Sequence, residues 1–285
     1  MTHERAAALV TGGAGFMGAH VVRALGDSGI GGVVVLDDLS GGFRSNLPDD
    51  VTFVEGSVCD HVLLSRVFER HRPRFVYHLA AYAAEGLSHF IRRFNYTNNV
   101  VGSVNVINEC VTHDVECLVF TSSIAVYGAA SPPMHEDMPP RPEDPYGVAK
   151  FAVELDLAAA RRLFGLRTVV FRPHNVYGEY QNLGDPYRNV VGIFMNQIMS
   201  GRPMSVFGDG RQKRAFSYIG DIAPAVVRSA WTPDAHGRIF NIGADREYAV
   251  AALAEAVAEA MRVPGQDGGL GPRGRTESRH HLRRD

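Results

Sequence analysis

The stretch VTGGAGFMGAH, residues 10–20, carries three glycines at a spacing of three: Gly12, Gly15 and Gly18. An apolar run, Ala6 to Val10, leads into it and a helix-like segment follows. Glycine costs conformational entropy, so a chain concentrates it where the backbone needs freedom or bare space. A strand that ends in Gly-x-x-Gly-x-x-Gly and opens a helix supplies both. The first glycine permits the tight turn, the second lets a pyrophosphate approach, and the third lets the helix pack on the strand. The amides and dipole of the helix start then favour an anion. Alone, the spacing equally suits a plain glycine turn. Here an acid follows: Asp37 ends the next apolar run, VVVLD, where a carboxylate accepts from adenosine ribose hydroxyls and repels a 2′-phosphate. This favours NAD over NADP. Asp38 is an alternative bearer of the role, and a strand-end turn or helix cap is the other use for such an acid.

Outward from this unit, apolar β-branched runs alternate with helical periodicity. Strands are expected at 6–11, 32–37, 51–56, 74–81, 116–123 and 166–173, with helices at 16–28, 60–70, 89–113 and 145–164. In the 89–113 helix, Val100, Val104, Ile107 and Val111 share one face. Uninterrupted apolar strands between helices predict an α/β fold, a doubly wound parallel sheet of Rossmann type covered on both faces. From residue 174 the pattern changes. A loop-like stretch, helices at 190–200, 221–231 and 250–261, and short strands at 204–208, 215–219 and 238–243 suggest a smaller substrate-binding lobe. The expected organisation is therefore 1–173 as the NAD-binding domain and 174–263 as that lobe, some of its segments returning to the sheet. Residues 264–285 are expected to be a disordered or atypical tail rich in Gly, Arg and His. There are no internal repeats.

The bulk numbers exclude some classes. With 29 basic and 31 acidic residues, the formal net charge of −2 offers no field for nucleic acid or an anionic membrane. The N-terminus is too short and too charged for a signal peptide, and no window approaches a transmembrane span. Cys59, Cys110 and Cys117 lack metal-ligand spacing, and Cys59 and Cys117 read as buried thiols in a reducing compartment. The expectation is a cytoplasmic soluble protein with no metal.

A second constellation carries the chemistry. Tyr146 and Lys150, four apart on a helix, share one face. Ser122 and Ser123 stand at the C-terminal end of a strand, the edge where open α/β sheets bind ligands. A phenol ionises near pH 10 unaided. A buried ammonium and a positively charged nicotinamide lower that value by favouring the phenolate. Ser123 can bond the same substrate oxygen and share the proton. The set removes a proton from an alcohol while hydride leaves its carbon.

The order of glycine loop, acid, strand-end serine and Tyr-x-x-x-Lys resembles the extended short-chain dehydrogenase/reductase family, and within it the NAD-dependent nucleotide-sugar epimerases of the UDP-glucose 4-epimerase type. The segments that carry the resemblance are TGGAGFMG, VVVLDDLS, YHLAA, NYTNNVVGS, TSSIAVYG, YGVAK, FRPHNVYG and FGDGRQKRAFSYIGD, spanning about residues 6 to 245. The resemblance implies Tyr146 as base, Lys150 as holder of the nicotinamide ribose, and Ser123 as contact to the sugar hydroxyl. It further implies cofactor contacts from Phe16, Met17, Leu79, Ala80 and Ala81. Asn99 is implied beneath the nicotinamide half; the other reading is a helix residue satisfying a neighbouring backbone group. Asn175 and Asn189 match sugar-nucleotide contacts, and Arg214 matches an arginine paired with the diphosphate, the alternative being a surface strand charge.

The implied reaction passes hydride from sugar C4 to NAD, turns the 4-keto sugar, and returns hydride to the other face. The Asp-Glu pair of related 4,6-dehydratases is replaced by Ile124 and Ala125, which cannot act as acid or base. Ser57 stands where relatives often place an aspartate near adenine, and Asp60 need not replace it. Relatives continue past the helix ending near Met261 with a segment that closes the sugar site, whereas this sequence enters its Gly/Arg/His stretch. The alternatives are therefore another NAD-dependent sugar-nucleotide dehydratase or reductase, or a catalytically impaired NAD-binding sensor protein. The resemblance implies a homodimer through the helices at 89–113 and 145–164. The stretch AAYAAEGLSHFIRRFN, residues 80–95, is expected to line the pocket near the sugar; its Arg92 or Arg93 would suit a carboxylated sugar, with solvent as their other and favoured fate.

Overall fold

The computed structural model describes residues 7–185, 187 and 189–261, together with the backbone of 277–278. The first half alternates strand and helix. In chain order come β1 (Ala8–Thr11), α1 (Phe16–Asp27), β2 (Val33–Asp37), β3 (Thr52–Glu55), α2 (His61–His71) and β4 (Phe75–His78). Next are short α3 (Glu85–Ser88) and α4 (Arg92–Tyr96), a π turn at Thr97–Val101, and α5 (Gly102–Thr112). Then follow β5 (Cys117–Thr121), α6 (Pro145–Phe164) and β6 (Thr168–Pro173). Beyond it lie β7 (Asn175–Tyr177), α7 (Val190–Met199), β8 (Ser205–Val206), β9 (Lys213–Tyr218), α8 (Ile219–Ser229), β10 (Ile239–Ile242), β11 (Glu247–Ala249), α9 (Val250–Ala260) and β12 (Glu277–Ser278).

Seven strands form one parallel sheet in the order β10-β6-β5-β4-β1-β2-β3. Side chains alternate between its two faces with period two. Ala8, Val10, Val33, Val35, Phe75 and Tyr77 enter one core with Val21 and Leu25 of α1 and Ile222 and Val226 of α8. Leu9, Val34, Leu36, Val76, Leu118 and Phe120 enter the other, against Leu64, Phe68, Val106, Val153 and Leu157. Both faces are covered, which is why the strands read as continuous apolar runs. Strand order reverses between β1 and β4, so a crevice opens at their carboxyl ends.

After β6 the chain builds a second cluster. Val191, Phe194, Met204, Val206, Phe216, Val250 and Ala254 pack together, beside a small sheet ordered β11-β9-β7. Strand β10 leaves this region and pairs in parallel with β6.

The structure corrects several details. The helix expected at 89–113 starts at Arg92 and contains the π turn. Of the expected face, Ile107 is buried and Val100, Val104 and Val111 are half-buried. The innermost line runs one position earlier, through Asn95, Asn99, Ser103, Val106 and Cys110. The short strands β7 and β11 have no counterpart among the expected elements, because three residues between turns carry no readable period. Cys59 is half-buried and Cys110 and Cys117 are buried, all three as free thiols. The tail expected at 264–285 lies outside the described residues except for the backbone of Glu277–Ser278, which pairs in parallel with Ser205–Val206. No helix among the described residues is long and apolar enough to cross a membrane.

Candidate active site

One continuous cavity, about 380 Å³, runs along the carboxyl end of the sheet from the glycine turn to β7. Its first wall is built from the glycines. Gly12 adopts φ +72°, and a Cβ there would stand 2.6 Å from the backbone nitrogen of Ala80. A Cβ on Gly18 would collide with the carbonyl oxygen of Gly12. Both positions therefore need glycine, one for its dihedral and close approach, the other for the packing of α1 on the turn. Helix α1 has Gly15 as its N-cap and no side-chain cap, so its first-turn amides have no side-chain acceptor there. Phe16, Met17 and Gly18, with Gly12 and Gly15, line the cavity at that point. An anionic bridge fits this bare, amide-rich end.

Asp37 and Asp38 close the same end. The Ala14 amide donates to Asp37 Oδ2 at 2.9 Å, and the Leu39 amide donates to Oδ1 at 2.8 Å. Burial pushes the Asp37 carboxyl up and the charge of Asp38 adds to this, while these backbone donors pull it back. Asp38 is exposed, its Oδ1 accepting from the Ser40 amide at 3.0 Å and the Ser40 hydroxyl at 2.5 Å. Ser57 also lines this end and accepts from the Cys59 amide, 3.2 Å. Asp60 caps α2 through the Leu63 amide, 3.0 Å. A dinucleotide fits these features: amides for its phosphates and a strand-end carboxylate for a ribose.

The central wall comes from β5 and α6. Asp144 caps α6 by accepting from the Gly147 amide at 2.9 Å, and Pro145 occupies the first turn. This fixes Tyr146 and Lys150 one turn apart on a buried face. Both line the cavity with Ser122 and Ser123. The Lys150 ammonium donates to the Thr121 carbonyl at 2.8 Å and lies 5.8 Å from the centre of the Tyr146 ring. Burial lowers the Lys150 pKa to about 7, against the charge of Glu154, which raises it. Ser123 accepts from the Ala125 amide at 3.1 Å, an arrangement that leaves its own O–H to donate.

Behind this wall sits a buried ionic network. Ser122 donates to Glu154 Oε1 at 2.5 Å. Arg172 on β6 grips Glu154 with two bonds, 2.6 and 3.0 Å, and donates to the Tyr127 hydroxyl at 2.7 Å. Tyr127 in turn donates to Asn241 on β10, 2.7 Å. Ser122 therefore reaches the cavity with its hydroxyl already engaged.

The remaining expected residues divide. Leu79, Ala80 and Ala81 line the cavity beside the glycine turn. Asn175 and Asn189 line its far end. Their side chains also serve the fold: Asn175 donates to the Ala215 carbonyl at 3.1 Å, and Asn189 accepts from the Val191 amide at 2.9 Å as the cap of α7. Asn99 is not part of the cavity wall. It is buried, accepts from the Tyr82 amide at 2.8 Å and donates to the Tyr82 carbonyl at 3.1 Å. These bonds satisfy the backbone of Tyr82. Arg214 is exposed on β9, donating to the Lys213 carbonyl at 2.8 Å, and does not line the cavity. Arg92 and Arg93 border a separate outer groove with Phe90 and Ile91.

Glu85, His174, Gln181, Asn182 and Tyr187 also line the cavity. Glu85 lies in the stretch 80–95 that the sequence reading expects beside the sugar. The other four lie in connecting segments without a spacing rule. Burial holds the His174 imidazole below its ordinary range, against the charge of Asp245.

Comparison with known proteins gives a consistent likeness. Residues 8–243 match the NAD dependent epimerase/dehydratase family. The chain is 38% identical over 266 residues to the UDP-glucose 4-epimerase of Mycolicibacterium smegmatis, covering 90% of this chain and 83% of that one. Among solved structures it resembles the UDP-glucose 4-epimerase of Thermotoga maritima with UDP-glucose, TM-score 0.84 at 35% identity, covering 88% and 81% of the two chains. It likewise resembles the UDP-glucose 4-epimerase of Thermus thermophilus in complex with NAD, TM-score 0.83 at 35% identity, with 89% and 82% covered.

Proposed function

Because the chain belongs to the NAD dependent epimerase/dehydratase family, we propose that it inverts C4 of a nucleotide sugar, of the UDP-glucose/UDP-galactose or UDP-glucuronate type, through a transient 4-keto sugar. The observation that carries this reading is the buried pair on α6: Tyr146 and Lys150 open onto the cavity that begins at the glycine turn, with Ser123 on the same wall. NAD, when bound, supplies the acceptor and then the donor of hydride. The uncapped start of α1 and Asp37 hold it. The Lys150 charge beside the Tyr146 ring favours the phenolate, which takes the proton of the sugar hydroxyl and later returns it. Ser123 donates to the same sugar oxygen and orients it. Asn175 and Asn189 face the sugar nucleotide from the second lobe, residues 174–263.

A water-eliminating reading of the same family finds less support. Ile124 and Ala125, in the turn after Ser123, carry no acid or base, and Ala125 is buried. The proposal includes a cytoplasmic homodimer. The buried free thiols Cys110 and Cys117 support the first part. The exposed Val101, Val148 and Leu155 support the second.

Incubation with UDP-glucose, followed by chromatography for the C4 epimer, tests the reading. Tyr146→Phe is expected to fold and retain NAD while losing about 10²- to 10⁴-fold in turnover. Turnover at the wild-type rate in that variant would remove Tyr146 as the base. A protein that binds NAD yet converts no UDP-sugar is instead the sensor.

A further inference from the structure

The cavity wall holds a carboxylate that neither the dinucleotide nor the proton transfer uses. Glu85 begins α3 and lines the cavity wall. Its position is fixed from the catalytic helix. The Ser88 hydroxyl donates to the Glu85 carbonyl at 2.6 Å and lies 3.4 Å from Oδ1 of Asp144, the cap of α6. The charges that act on Glu85 are those of Asp144, Arg214 on β9 and His89. Glu85 therefore stands on a short helix held against the start of the Tyr146 helix.

The rest of the wall sharpens its meaning. Among the described residues that line the cavity there is no arginine, and the one lysine, Lys150, donates to the Thr121 carbonyl. Arg92 and Arg93 border the outer groove, and Arg214, whose charge reaches Glu85, does not line the cavity. Glu85 is an exposed residue of the wall; desolvation and the charge of Asp144 push its carboxyl up, while Arg214 and His89 pull it back. A second negative charge brought beside a carboxylate is repelled.

We propose that Glu85 is a specificity-determining residue: it accepts a hydrogen bond from a sugar hydroxyl and repels a sugar carboxylate, so the site takes a neutral hexose and turns away a uronic acid. This rests on the nucleotide-sugar reading above and selects within it. A charged acceptor strengthens a hydroxyl contact, whereas like charges brought together weaken binding.

The test is calorimetric titration of the NAD-loaded full chain with UDP-glucose and with UDP-glucuronate, alongside epimerisation of each. The wild type is expected to bind UDP-glucose at least about tenfold more tightly. Glu85→Gln is expected to shrink that ratio by about tenfold, chiefly by improving UDP-glucuronate, because the amide keeps an acceptor and loses the charge. Arg92→Gln should leave the ratio where it was. Equal affinities in the wild type, or a ratio unmoved in Glu85→Gln, overturn the assignment. If the ratio moves as stated while neither sugar is epimerised, the specificity assignment stands and the epimerase reading falls. If UDP-glucose is epimerised and the ratio does not move, the reverse holds. If neither UDP-sugar binds, both fall.

Discussion

Asp37 shows how one residue serves fold and ligand together. Its carboxylate takes the Ala14 and Leu39 amides, which shape the glycine turn and the loop after β2. A carboxylate has about four lone-pair sites, so acceptor capacity remains for a ribose. Asp37→Ala is expected to weaken NAD binding and to cut its preference over NADP by about tenfold, since removing the charge removes the repulsion of a 2′-phosphate. Fluorescence titration with both dinucleotides measures this. Unchanged affinities would move the role to Asp38. The place of Asp37 is legible in the bare sequence, because a strand end after a glycine turn has a fixed location. The places of Asn99 and Arg214 are not, because polar side chains on a helix or strand can turn either way, and only packing decides.

At the scale of elements, α6 carries Tyr146, Lys150 and Glu154 at successive spacings of four. All three follow from helical geometry, yet only the neighbouring strands reveal what the third does. Arg172 on β6 and Ser122 after β5 converge on Glu154, and Glu154 is the charge that offsets the burial of Lys150. In Glu154→Gln, Lys150, already near 7, loses that support and holds its proton less well at neutral pH. The phenol beside it then ionises at higher pH. The acidic limb of the kcat–pH profile is expected to move upward by about one unit. The single substitution also strands Arg172, costing about 3–5 kcal/mol of stability. Glu154→Gln with Arg172→Met removes that strain and separates the two effects. A stable double variant with an unmoved pH profile would end the electrostatic role. The helix at 92–112 is the opposite case: its existence is legible, but the π turn inside it is not. No local residue pattern announces one extra residue in a turn.

Across the whole molecule, a buried chain of hydrogen bonds ties the layers. Thr11 at the end of β1 and Ser103 on α5 bracket the His78 ring at 2.7 and 2.8 Å. Ser103 donates to the Asn99 carbonyl at 2.7 Å, so it accepts from Nε2–H, and Nδ1 accepts from Thr11. The ring is therefore neutral, and burial lowers its pKa to about 3, with the Lys150 charge adding to the effect. An unfolded histidine titrates near 6.5, so below that pH the unfolded chain binds the extra proton. The stabilisation is complete above about 6.5 and is lost as pH falls toward 3, at roughly 1.4 kcal/mol per pH unit. Urea unfolding at pH 7, 5.5 and 4 should show this slope, and His78→Asn should flatten it; an identical slope in the variant would assign the loss to other groups. By itself the sequence determined the parallel sheet, the glycine turn, the strand-end acid and the Tyr-Lys pair. Each rests on a local period or spacing that survives in any context. Tertiary structure alone decided that Glu154 and Arg172 back Lys150, that Asn99 bonds the Tyr82 backbone, and that Arg214 stands off the cavity wall. Those contacts join residues distant along the chain, where the energy of burial and charge depends on neighbours that no local pattern names.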